Sequence, residues 1–583
     1  MYNQICVFTH DHVIQRIKES FMSKKKKTSQ PMSASDVTLY IFRIAVSFYC
    51  SIFFIAMPLF YHNNYYDIGD FKYKMFMYVT VVFMTISAII LAVYLILQIT
   101  HKKINIESTK ALIRSLSVID WFVIAFGIVS ILSFLFSPNR TNEYPVFFLF
   151  KGGADTSVVN LPWEGYTGWN MGLRSQLMFV AIYFLVSRLF MKSWFRDFLC
   201  MMLGSAFIVF LLGVLHRFAI DPLNLYEDLD DYYKIMFLST LGQSSWYSSF
   251  MTVIIPIGMG LYIFNNDDSK LVDILLGFFV AMSGATFVTQ NSDSAYMAFV
   301  FSVLTMFAIS FKNNKYFLKF WEMVLIMLSA MKLMGIFQIL FPERATALDT
   351  LSFFISKSIV TWILWAAVLA FYLFIRTKMK NDKFEIANYK LIRNILVILV
   401  VSCLPLGVLI AYLNTKGLLP TAAFQNVEYF TFNNRWGNNR GFIWRNTVEL
   451  LGEKMWRSMA LLGPGPDCYA TVAYAAEPRA TELYDYCGGA IIVCAHNEWL
   501  NMLFDEGILG IISYLGIFVS AYIKFLKKTG DAMVIACAGS VIAYFFHNLF
   551  CYQQILCTPM IFIIMALGIW RIREHAVTEE NKK

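Results

Sequence analysis

The stretch Lys74–Gln98, KMFMYVTVVFMTISAIILAVYLILQ, decides the fold. After Lys74 it carries no charge, and as a helix it is long enough to cross roughly 30 Å of hydrocarbon. It shows no period-2 alternation, so it does not read as a strand of a membrane barrel. Similar runs recur along the 583-residue chain, near 37–60, 74–98, 116–137, 171–190, 195–216, 241–264, 271–289, 294–311, 316–340, 352–375, 392–413, 507–526, 532–550 and 552–570. Lipid offers backbone groups no hydrogen-bond partner, so such spans must be helical. The chain is 58% hydrophobic and only 15% charged, too few charges for the surface of a soluble protein. The expected fold is all-α, a polytopic membrane bundle of about 14 helices (12–14).

Charge gives the expected orientation. With the N-terminus inside, the inner segments (1–36, 99–115, 188–196, 265–270, 312–319, 376–393, 524–531, 571–583) carry 30 of the 48 Lys and Arg residues. The outer loops and their margins carry 16, although they contain more residues. Every inner segment has a basic residue, and cytoplasmic loops are the ones enriched in Lys and Arg. Both termini are then cytoplasmic. The net charge of +9 follows from these lysines and needs no nucleic-acid partner. Residues 1–36, with Lys24–Lys27 in a row, read as a cytoplasmic tail near anionic headgroups. Their charge comes too late for a signal peptide. The division is a tail (1–36), a first membrane part (37–413), an outer loop (414–506), the last spans (507–570) and a cytoplasmic tail (571–583). Arg43, near the end of its span, can snorkel, whereas Lys332 lies deeper. Lys332 either reaches the outer interface or marks a functional site.

The outer loop and the start of the next span hold the only long polar segment, Arg435–Gly510. It contains RWGNNRGFIWRNTVEL, LLGPGPDCY and AHNEWLNMLFDEGILG. Arg435, Arg440 and Arg445 fall within eleven residues. Gly441–Leu450 reads as an amphipathic helix, with Asn438 or Asn439 as N-cap and Arg440 at its start. A guanidinium fork fits phosphate oxygens, and a helix N-terminus adds N–H groups for an anion. The same arginines could instead pair with carboxylates or lipid headgroups. Leu462-Gly-Pro-Gly-Pro-Asp467 must be a turn, and Asp467 caps the next segment or orients a catalytic group. His496 lies just before the chain re-enters lipid. An imidazole there can take a proton from a hydroxyl at neutral pH, and Asn497 and Glu498 beside it could fix its tautomer. Asp228, Asp230, Asp231, Asp505 and Glu506 could hold Mg²⁺ or Ca²⁺, but the 226–231 run reads better as a solvated loop. A Cys468–Cys487 disulfide is open on an oxidising side. The ten cysteines show no metal-ligand spacing, and no metal or cofactor is expected.

At these residues the chain resembles the O-antigen ligase/polymerase superfamily of bacterial membrane glycosyltransferases. The resemblance rests on Arg440–Trp444, Leu462–Tyr469, Ala495–Leu500 and Glu506–Gly510. Leu241-Gly242-Gln243-Ser244 is similar to an earlier family motif, from which it departs at Gln243. The resemblance implies a metal-independent, inverting transferase in the bacterial cytoplasmic membrane. Its donor would be a glycan on undecaprenyl diphosphate, and its acceptor a glycan, lipid, wall or protein hydroxyl. It implies His496 as the base and Arg440 as the diphosphate ligand. Arg435 and Arg445 are neighbours without a firm match. Arg174, Arg217 and Lys234 are candidates by location, and Asn497, Glu498 and Asp467 are further substrate-binding candidates. A ligase moves the glycan to a new acceptor, whereas a polymerase of capsule or exopolysaccharide repeats keeps it lipid-linked. A lipid-linked-glycan flippase is the reading from another class. It would require charges at mid-membrane and broken helices.

Overall fold

The computed structural model describes residues 32–101, 106–140, 161–166, 168–267, 269–380, 389–419, 430–475 and 478–580. The Lys24–Lys27 run and most of the 138–170 loop lie outside the described residues. The main helices are α1 (Ala34–Leu59), α2 (Ile68–Thr100), α3 (Val118–Phe136), α4 (Leu173–Leu189), α5 (Phe195–His216), α6 (Ser244–Phe264), α7 (Lys270–Thr289) and α8 (Asp293–Ser310). They continue with α9 (Asn314–Leu340), α10 (Ile359–Lys380), α11 (Tyr389–Thr415), α12 (Trp436–Leu451), α13 (Glu498–Lys527), α14 (Ala532–His547) and α15 (Thr558–Glu580). Each expected span falls on one of these helices except 352–375, which is split between a helix at Thr350–Lys357 and α10, and α12 is an extra helix. Among the described residues, eleven helices are long and apolar enough to cross a membrane. The protein is a multi-pass helical membrane protein.

The ends are set by local chemistry. Ser33, Asn313 and Asp531 cap α1, α9 and α14 through their side chains. Helix α6 is almost wholly buried and forms the bundle's centre with α14 and α15. At Gly260 a Cβ would lie 2.7 Å from the Ala536 methyl, so glycine is what lets α6 and α14 approach closely. Around this centre α4 packs on α15, α3 on α13, α8 on α14, and α5 on α1. Helix α11 has no buried residue and touches α8 only lightly.

Charged groups collect at one end. Asp120, fully buried, pairs with Arg188 and Arg573 (both 3.1 Å), and Asp531 pairs with Arg571 and His575 (both 2.8 Å). Lys319 joins Asp273 there, and Tyr316 joins Asn266. These residues come from, or directly adjoin, the segments expected to share the inner side. Lys332 is buried, and its place follows from its partners. Its amine reaches the Ser356 and Ser358 carbonyls (3.5 and 3.4 Å) and the Thr361 hydroxyl, holding the break between the Thr350–Lys357 helix and α10. Lys72 does the same at the end of α1, donating to the Met57 and Phe60 carbonyls (2.6 and 2.5 Å).

The 507–526 span is continuous with a helical stretch that runs from Glu498, and α13 breaks between the two at Gly507 (φ 72°, ψ −166°). The amides freed by the break are taken by the preceding loop. Ile508 N–H donates to Ala460 O (2.8 Å) and Leu509 N–H to Leu461 O (3.1 Å). A Cβ at Gly507 would sit 2.5 Å from the Leu461 carbonyl carbon, in a backbone region open essentially only to glycine. Gly507→Ala is therefore expected to cost on the order of 3 kcal/mol. The midpoint of thermal unfolding in detergent measures this, and an unchanged midpoint would contradict the docked break.

Candidate active site

The site is built where the polar loop docks on the broken end of α13. Gly463 and Gly465 adopt positive φ, and Gly465 N–H donates to Asp505 O (3.0 Å). The Pro464 carbonyl accepts from the Ser137 hydroxyl (2.5 Å) and the Asn139 amide (3.2 Å). The Leu462–Asp467 turn is thus fastened to both α13 and the end of α3. Asp467 is spent on backbone: its Oδ2 accepts from Tyr166 N–H (2.8 Å) and Met171 N–H (3.0 Å), tying in the segment before α4. Burial pushes its carboxyl up to about 7.

Asp467 has two expected outcomes. Asp467→Ala leaves two amides unpaired, at about 1–3 kcal/mol each, whereas Asp467→Asn keeps an accepting oxygen. The folded carboxyl holds its proton to about pH 7, while the unfolded one loses it near pH 4. Folded protein then binds more protons across that window, so this residue's contribution to stability falls as pH rises from about 4 to about 7. Asp467→Asn is expected to remove that slope. Unfolding midpoints across pH 4–8 measure it, and an unchanged slope would contradict the assignment.

His496 lies in the segment leading into α13 and takes a left-handed backbone (φ 48°), unusual outside glycine and found at strained functional positions. The loop is fixed on both sides. Ala495 O accepts from the Trp444 indole (3.0 Å) and Ala495 N–H donates to Asn501 Oδ1 (2.9 Å). The half-buried imidazole meets the Tyr552 ring edge-on, with centroids 5.2 Å apart. Burial, and next the Arg440 charge, pull its pKa down to about 3. It is neutral at ordinary pH, and among the described residues no hydrogen bond occupies its ring nitrogens.

Arg440 is the first residue of regular helix in α12, because Gly437, Asn438 and Asn439 all take positive φ. Neither asparagine has the extended backbone of the expected N-cap, since both take positive φ, and the Asn439 side-chain oxygen accepts from the Tyr486 hydroxyl (3.2 Å). The Arg440 guanidinium donates to Phe550 O (3.0 Å) and Gly437 O (2.6 Å). It makes no ion pair among the described residues, and its other donors remain for a ligand. Around it stand Trp436, Trp444 and Phe550, in mutual ring contact at 5.4–6.0 Å. Beyond Trp444 opens an apolar groove of about 650 Å³, walled by Phe432, Trp499, Leu500, Leu503 and Leu515, with Arg445 at its rim.

The other sequence candidates divide. Arg445 is exposed and shared among Asn434 (2.9 Å), Glu482 (3.5 Å) and Glu449 (3.8 Å). Arg435 is exposed at the start of α12, with no ion pair among the described residues. Asn497 and Glu498 do not hold the imidazole. Asn497 caps α13 by accepting from Leu500 N–H (3.0 Å), and Glu498 turns into the bundle. Arg217 is buried, its guanidinium fixed by the Thr289 and Ile235 carbonyls (2.6 and 3.0 Å). Arg174 pairs with Glu164 (3.2 Å) and the Tyr73 hydroxyl, and Lys234 pairs with Asp231 (2.9 Å) in a surface turn. These three are not drawn to His496 by any contact in the structure. Cys468 and Cys487 are free thiols. Among the described residues, no three His, Cys, Asp or Glu side chains are arranged to hold a metal ion.

Residues 548–557 were missed. Two spans separated by one residue were expected there, but α14 ends at His547 and α15 starts at Thr558. The turn between them supplies Phe550 O to Arg440 and the Tyr552 ring to His496. Tyr552 also donates to Gln243 Oε1 (3.2 Å), which brings the Leu241–Ser244 motif to the site. The polar pair His547-Asn548 at the end of an apolar run was the available signal.

Fold and site together define a polytopic membrane protein with one polar segment seated on the end of its bundle. Residues 344–515 match the family model described as O-antigen ligase, a range holding Arg440, Asp467 and His496. Over these residues the chain is similar to that family, which supports the resemblance its motifs carry to the O-antigen ligase/polymerase superfamily. No curated protein matches it significantly.

Proposed function

We propose that the protein is a glycosyltransferase that moves a glycan from undecaprenyl diphosphate to an acceptor hydroxyl at the outer face of the membrane. The observation that carries this is the convergence of His496 and Arg440 on the 548–557 turn beside an open apolar groove. The groove suits a polyprenyl chain, and the Arg440 fork suits the diphosphate at its head. In the reaction, the acceptor oxygen forms a bond to the anomeric carbon as the bond from that carbon to the phosphate oxygen breaks. The hydroxyl proton goes to His496, and the diphosphate leaves on its lipid with its charge met by Arg440. Neither step calls for a metal, and in-line displacement inverts the anomeric centre. The Lys/Arg bias supports placing this end outside.

A flippase calls for a broken helix open to cargo. Here the break at Gly507 is filled by the Ala460 and Leu461 carbonyls, which favours chemistry at the surface. The test supplies purified protein with an undecaprenyl-diphosphate glycan, with EDTA, with and without a second acceptor. Transfer that depends on the acceptor identifies a ligase, and lengthening lipid-linked chains identify a capsule or exopolysaccharide polymerase. No transfer under either condition contradicts the proposal.

A further inference from the structure

Glu498 stands two residues after His496 yet faces away from it. Its carboxylate, 1% exposed, accepts from the hydroxyls of Tyr514 (2.6 Å) and Tyr544 (3.0 Å) and from the Asn548 amide. The Glu498 N–H donates to the Asn548 carbonyl (2.9 Å). Asn548 Oδ1 in turn meets His547 Nδ1 (2.9 Å), and His547 Nε2 meets Ser248 Oγ (3.0 Å). No cation pairs with Glu498 among the described residues. Burying a carboxyl group is costly unless it is hydrogen-bonded, and here three side-chain donors from two other segments meet it.

Two arms leave this carboxylate. One is the start of α13, which carries the Asn497 cap and His496. The other is the turn from Asn548 to Phe550, whose carbonyl holds Arg440. We propose that Glu498 and Asn548 are positioning residues, a clamp that sets the spacing between the imidazole and the guanidinium. This rests on the transferase reading above. The clamp has a direction, because the carboxylate accepts and the amide donates.

Glu498→Gln allows the new amide NH₂ to face the Asn548 NH₂, and Asn548→Asp sets two carboxylates together. The double variant restores one donor and one acceptor in reversed order. Each single change is expected to lower kcat on the order of 10–10²-fold with the donor KM nearly unchanged, since misplacement of about 1 Å has that effect. The double variant is expected to recover most of the loss. Wild-type kcat in the singles, or a double variant no better than the worse single, overturns the clamp. Should Glu498→Gln not fold, Tyr544→Phe removes one donor, and kcat falling at constant KM is required of it. Fluorine NMR of 5-fluorotryptophan at Trp444, whose indole donates to Ala495 O on one arm and whose ring meets Phe550 on the other, needs no substrate. If wild-type protein turns over no lipid-diphosphate glycan, the transferase reading fails. The clamp is then judged by that resonance alone: moved in the singles and restored in the double supports it, and unmoved in the singles overturns it.

Discussion

His496→Ala is expected to lower turnover by on the order of 10²–10⁴-fold while leaving donor affinity close to that of wild type. In the proposed mechanism the imidazole serves as the neutral base and Arg440 grips the donor. The pH profile gives a finer reading. Burial and the Arg440 charge pull the pKa of His496 down to about 3. A bound diphosphate offsets the arginine charge, so the imidazole becomes more basic once donor is present. A base works only when unprotonated, so activity falls as pH drops through its pKa. The acid limb of kcat should therefore lie at higher pH than that of kcat/KM. Coincident limbs, or near-normal turnover in His496→Ala, would remove His496 from its role.

Arg440→Ala is expected to lower kcat by about 10²–10³-fold, the usual effect of removing one aimed electrostatic donor, and to weaken donor binding as well. Arg440→Lys should recover little. The wild-type side chain spends two N–H groups on Phe550 O and Gly437 O and keeps further donors on the same planar fork. A lysine has three donors at one point and cannot do both. Salt-bridged Arg445 is the internal comparison, and Arg445→Ala should fall within a few-fold of wild type. Rates for the three variants at saturating donor measure this, and equal losses at Arg440 and Arg445 would contradict the assignment.

Much of this arrangement could be read from the chain. The spans were legible because a 20-residue apolar run has few alternatives in lipid, and the arginine cluster and His496 were legible because they interrupt apolar sequence. What the side chains do was harder to see. Glu498 and Asn497 stand beside His496 in sequence, but a helix starting at Asn497 sends Glu498 inward and uses Asn497 as a cap. Arg217 looked like a phosphate ligand by its place at a span mouth, yet its fork closes on two carbonyls within the fold. The 548–557 turn was hidden in a nearly unbroken apolar run, and its contributions to Arg440 are backbone groups that no residue type announces. Lys332 shows the same limit, because the helix break it fills cannot be seen from its own position.

The most direct measurement uses a donor labelled separately in its polyprenyl and glycan parts, in proteoliposomes containing EDTA and an acceptor. Wild-type protein is predicted to separate the two labels, leaving undecaprenyl diphosphate in the membrane and the glycan on the acceptor, and His496→Ala is predicted to keep them joined. Labels that stay joined with wild-type protein while the whole donor changes leaflet would contradict the transferase account and make the protein a carrier.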